Sequence, residues 1–89
     1  MTFGQLLTIS IQRKGYSQRE FAKIVNYKVQ SLNQVIKGTR QPPPEQLEKW
    51  AVELDLDAKY FRLLGLLEHC PQEIQEILRD QFIKRLKRD

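Results

Sequence analysis

The chain has 89 residues, 40% of them apolar, and a single cysteine, Cys70. That is room for one compact domain with a small core, and it excludes an internal disulfide framework. It has no apolar leader and no eighteen-residue apolar run, so the expected location is the cytoplasm and no membrane association is expected.

The net charge of +4 hides an uneven distribution. Residues 1 to 44 carry seven basic side chains (Arg13, Lys14, Arg19, Lys23, Lys28, Lys37, Arg40) against Glu20 alone, a net of +6. Residues 45 to 78 carry a net of −5, and the last eleven residues return to +3 through Arg79, Lys84, Arg85, Lys87 and Arg88. The first half is suited to meet a polyanion.

Apolar residues recur at helical spacing almost throughout, and the pattern predicts an all-α chain of six helices. Thr2 caps the first, whose stripe is Phe3, Leu6, Leu7 and Ile11, and Gly15 ends it. Ser17 opens a capping box with Glu20 ahead of the apolar Phe21, Ala22, Ile24 and Val25. Asn26 sits where a tight interhelical turn needs a positive φ. A third helix follows over about residues 28 to 37, burying Leu32, Val35 and Ile36, and Gly38 stops it.

An extended loop, residues 39 to 43, leads to Pro44 in the first turn of a fourth helix with Leu47, Trp50, Ala51 and Leu54 at core spacing. Asp57 caps a fifth helix through Tyr60, Phe61, Leu64 and Leu67. Pro71 opens the sixth, which carries Ile74, Ile77, Leu78, Phe82 and Leu86 on one side and charges opposite. The cations from Arg79 to Arg88 are read as complementing a helix C-terminus more than as a DNA contact. His69 beside Cys70 is too little for a metal site, and no second histidine exists for a catalytic pair, so no metal, cofactor or enzymatic activity is expected.

Two short helices joined by a tight turn, with the small Ala22 where they cross and glycine closing the second, describe a helix-turn-helix. The run from Phe3 to Leu56 resembles the Cro and phage-repressor family, also called the XRE family. The matching features are a first helix ending in Gly15, Ser17-Gln18-x-Glu20-Phe21-Ala22-x-x-Val25, a recognition helix closed by Gly38, and Leu47-x-x-Trp50-Ala51-x-x-Leu54 after a basic loop and prolines. The resemblance implies a five-helix lambda-repressor-like DNA-binding domain, here over residues 1–67. Residues 68–89 would form a C-terminal helical extension.

In this family the third helix enters the major groove, a docking geometry carried over here by resemblance. Position by position, that places Val29, Gln30, Asn33 and Gln34 toward the bases. Gln30 and Gln34 can offer paired donor and acceptor groups to adenine, and Val29 can touch a thymine methyl. Gln18 and the amides opening the second helix resemble the family's phosphate clamp, with Lys28, Lys37 and Arg40 around it.

Two departures stand out. Where many relatives pair a buried arginine with a glutamate, this chain has Ile11 and Ile36, which are expected to touch in the core; replacing both charges at once removes a desolvation penalty. Lys28 stands where Ser or Thr commonly caps the recognition helix, so either the cap is missing or the lysine serves a phosphate. The expected function is sequence-specific transcriptional regulation on double-stranded DNA by a homodimer that uses Ile74, Ile77, Leu78 and Phe82. The alternative is an antitoxin or regulatory module that grips a protein partner with the sixth helix.

Overall fold

The structure, a computed structural model, describes residues 1–86, so Lys87 and Arg88 of the basic tail lie outside the described residues. The chain is all-α, as the apolar spacing predicts. It has six helices: α1 (Phe3–Arg13), α2 (Gln18–Ile24), α3 (Val29–Lys37), α4 (Pro44–Glu53), α5 (Ala58–Leu67) and α6 (Gln72–Lys84), with no strand among the described residues. They fall into two compact units, one Met1–Pro42 with α1 to α3, the other beginning at Pro43 with α4 to α6.

In the first unit, each of the three helices packs against the other two. The buried side chains are Phe3, Leu6, Leu7 and Ile11 from α1, Phe21, Ala22 and Val25 around α2, and Leu32 and Val35 from α3. Two expected core residues depart from this. Ile24 is 44% exposed, because α2 has only seven residues and its inward face is already filled by Phe21, Ala22 and Val25. Ile36 is only half-buried, at the edge where it shares a shallow hollow with Met1, Gly4, Gln5, Thr8 and Ile9. Of the pair that replaces the family's ion pair, Ile11 alone is fully enclosed.

Local chemistry sets the helix boundaries. Thr2 and Gln5 form a reciprocal capping box at α1, with bonds of 2.8 and 3.1 Å. Ser17 and Glu20 do the same at α2, at 3.0 and 3.1 Å. Each box satisfies two amides that a helix start otherwise leaves without partners. The helices α1 to α4 all end in one motif, in which a left-handed residue lets two successive amides reach back to the last turn. At α1 these are Gly15 to Gln12 and Tyr16 to Ile11; at α2, Asn26 to Lys23 and Tyr27 to Ala22. At α3 they are Gly38 to Val35 and Thr39 to Gln34; at α4, Asp55 to Val52 and Leu56 to Ala51. The left-handed residue at α4 is Asp55, with φ 57°.

The contact of α1 with α3 depends on Gly4. A Cβ there would collide with the carbonyl oxygen of Ile36, and would stand 2.7 Å from its carbonyl carbon and 3.1 Å from its Cα. The obstacle is backbone, so no rotamer change relieves it. Glycine at the first turn of α1 lets the two helices approach backbone to backbone.

In the second unit α5 packs against both α4 and α6. Leu47, Trp50, Ala51 and Leu54 of α4 are buried as expected, as are Phe61, Leu64 and Leu67 of α5, and Asp57 caps α5 by accepting from Tyr60 N at 3.1 Å. The apolar stripe of α6 is only partly covered. Ile74 and Ile77 are exposed, Leu78 and Phe82 are half-buried, and the inward position of the first turn is taken by Gln75, 9% exposed. Gln75 Nε2 donates to the carbonyls of Cys70 (2.8 Å) and Glu68 (3.3 Å), just past the end of α5. Arg79 donates to Gln75 Oε1 and lies 3.8 Å from the Glu68 carboxylate. It therefore complements the end of α5.

Two outcomes follow from these contacts. Gly4→Ala should destabilise the protein by about 1–3 kcal/mol, the usual cost of overpacking, although alanine is the better helix former. A thermal melt in which the variant equals or exceeds the parent would contradict the backbone contact. Glu20 is fully exposed, and its carboxyl is held below the usual value, first by the bond from the Ser17 amide and then by the Ser17 hydroxyl. A lowered folded value means that this contribution is present above the unfolded value and is lost as pH falls through the folded one. Amide protection at Ser17 should therefore fall on acidification in the parent, whereas Glu20→Gln, which keeps an acceptor, should show no such fall; equal profiles would refute it.

Candidate nucleic-acid interface

The first unit brings α2 and α3 together across the turn at residues 25 to 28. Asn26 takes φ 55°, as its place in the sequence implies, and the Tyr27 amide closes the turn on Ala22 O at 2.8 Å. Lys28 precedes α3 in an extended conformation and its side chain makes no capping bond. The side-chain cap is therefore missing, and Lys28 is exposed. Gly38, at φ 82°, then ends α3 in a conformation that a side chain would strain.

Val29, Gln30, Asn33 and Gln34 lie on one side of α3 and line a single open hollow with Lys37 and Thr39. Val29 and Gln30 are exposed, and the Gln30 side chain has no hydrogen-bond partner among the described residues. Asn33 is half-buried because its Nδ2 donates to Gln18 Oε1 at 3.3 Å. That bond ties the start of α2 to the middle of α3, so Gln18 belongs to the same surface. Lys37 and Arg40 are exposed on it. Lys28 lies elsewhere, in a neighbouring hollow with Ala22, Lys23, Asn26 and Tyr27.

One element of this surface is not evident from helical spacing. The Gln34 carbonyl accepts from Thr39 N (3.0 Å), Arg40 N (3.3 Å) and Thr39 Oγ1 (3.2 Å), and the Gln34 side chain accepts from Arg40 Nε at 3.0 Å. The turn at Gly38 folds the loop back along the last turn of α3. A 3.6-residue period places nothing after the helix stops; the family resemblance puts Arg40 at this surface, but neither Thr39 nor the bond from Arg40 to Gln34 follows from it. The proposed dimerisation residues Ile74, Ile77, Leu78 and Phe82 belong to the second unit, where the Phe82 ring lies tilted 6.0 Å from Tyr60.

The surface is cationic and amide-rich, which suits phosphates at its edge and base edges at its centre. Among the described residues no group of three or more His, Cys, Asp or Glu is placed to hold a metal ion, and no helix is long and apolar enough to cross a membrane.

The helix-turn-helix family profile matches residues 10–61, more than half of the chain. That span includes the whole of α2, α3 and α4. No curated protein and no solved structure matches significantly. The match covers the turn at Asn26, the stop at Gly38 and the Trp50 helix, and the all-α domain that contains it is lambda-repressor-like. The chain therefore belongs to the Cro and phage-repressor (XRE) family of helix-turn-helix DNA-binding regulators.

Proposed function

We propose that this protein recognises a specific DNA sequence by placing α3 in the major groove. Val29, Gln30, Asn33 and Gln34 face the bases in this reading, and Gln18, Lys28, Lys37 and Arg40 contact phosphates. The observation that carries it is the single hollow in which all four base-facing side chains meet, with Lys37 at its margin. Gln30, exposed and with a side-chain amide that has no partner among the described residues, is ready to offer both ends of that amide to one base. The cytoplasm is where such a regulator meets its DNA.

The two kinds of contact should separate experimentally. Gln30→Ala should cost about 1–3 kcal/mol per half-site on the preferred sequence and little on random DNA. Lys37→Ala should weaken both about equally and flatten the plot of log affinity against log salt by roughly one unit. Binding isotherms at several salt concentrations check this. A Gln30→Ala protein with unchanged preference would remove Gln30 as a reader.

The reading extends to a homodimer, since one domain reads only a half-site. Residues 1–67 act as the DNA-binding part and residues 68–89 as the extension that joins two copies. Ile74 and Ile77, at 41% and 65% exposure, support that role, with the half-buried Leu78 and Phe82 beside them on α6. The same exposed pair would serve an antitoxin-like grip on another protein. Because both isoleucines lie outside the core, Ile74→Asp with Ile77→Asp should leave the fold intact. Sedimentation equilibrium of the parent should give a dimer and that of the double variant a monomer. A parent that stays monomeric at high micromolar concentration, with and without DNA, defeats the dimer and favours the protein partner.

A further inference from the structure

The hydrogen bond from Arg40 Nε to Gln34 Oε1 fixes the orientation of an amide that would otherwise be free to turn. A guanidinium only donates, so it must face the oxygen of the glutamine, and the nitrogen end is left for another partner. The loop is held for this contact: Thr39 N, Thr39 Oγ1 and Arg40 N all bond to the Gln34 carbonyl, which pins Arg40 beside the side chain it engages. Both side chains are exposed, and Gln34 lines the hollow on the outer side of α3.

A free glutamine offers one donor and one acceptor, which suits the N7 acceptor and N6 donor of adenine. With Oε1 turned to Arg40 and one of its lone pairs taken by the cation, Gln34 leads with Nε2 and its two hydrogens. Guanine presents two acceptors, N7 and O6, on the same edge, whereas the adenine N6 group would meet a donor with a donor. We propose that Arg40 is a positioning residue that holds Gln34 with its Nε2 end toward the base, and thereby makes Gln34 select guanine over adenine at the base pair it faces. This rests on the reading of α3 as the groove-facing helix. The Nη groups of Arg40 remain available to a phosphate, so one residue serves both affinity and base choice.

The test is selection of bound sites from random DNA with the full chain, followed by binding to duplexes that differ only by guanine or adenine at one position. Gln34→Ala identifies that position as the one whose preference disappears. There the parent should prefer guanine by about tenfold, within the range of a single good base contact. Arg40→Ala should abolish or reverse that preference while leaving the other positions as they were, and Arg40→Met should do the same with the side-chain stem kept. In a Gln34→Ala background, Arg40→Ala should change no base preference. A parent that prefers adenine there overturns the proposal. So do Arg40 variants that keep the guanine preference and lose only overall affinity, which would make Arg40 a phosphate contact alone. A parent that selects no sequence overturns the groove reading itself, and this inference with it.

Discussion

The amides that leave α2 find partners only because Asn26 turns into the left-handed region, and the position of α3 follows from that turn. At φ 55° the chain reverses in four residues, and the Asn26 and Tyr27 amides return to Lys23 and Ala22. An ordinary side chain would pay a steric penalty at that φ, which asparagine largely avoids. With the turn closed, Leu32 and Val35 face inward and the amide-bearing residues of α3 face outward. The site is thus a consequence of backbone hydrogen bonding first and of side-chain chemistry second.

The other anchors of α3 act at its middle and its C-terminal end. Gly4 admits the backbone of Ile36 so closely that no other residue fits, and the Asn33 bond to Gln18 ties the outward face of α3 to the beginning of α2. Gly38 then stops the helix and sends Thr39 and Arg40 back over the Gln34 carbonyl. A reading helix must be held in place before it meets DNA, because ordering it at the moment of binding would reduce affinity. Here the holding contacts are mostly local in sequence or made by backbone.

That locality explains what the sequence discloses. Ser17 with Glu20, Asn26, Gly38 and Asp57 act on their own neighbours, so their residue types announce their roles. The core stripes of α1, α4 and α5 are equally legible, because several apolar residues at one spacing overdetermine a face. Gly4 is not legible as a contact, since its requirement comes from α3, thirty-two residues away. Gln75 is not legible for a related reason: its burial follows from its bonds to the carbonyls of Glu68 and Cys70, and no apolar count along α6 points to it. Asp55 shows that the left-handed position is easier to foresee when glycine or asparagine fills it. The four base-facing candidates lie together as the family resemblance implies, while the engagement of Gln34 by Arg40 depends on a loop that no periodicity describes.

The central claim is that the surface built by α2 and α3 is the one that meets DNA. Chemical-shift mapping of the isotopically labelled protein against a duplex carrying its selected site tests it most directly. The account predicts that the largest changes fall at residues 17 to 19 and 28 to 40, and that the Gln30 side-chain amide shifts strongly while α6 responds little, apart from changes that also appear on self-association. Largest changes along Gln72–Lys84, with Gln30 and Gln34 unmoved, would contradict it.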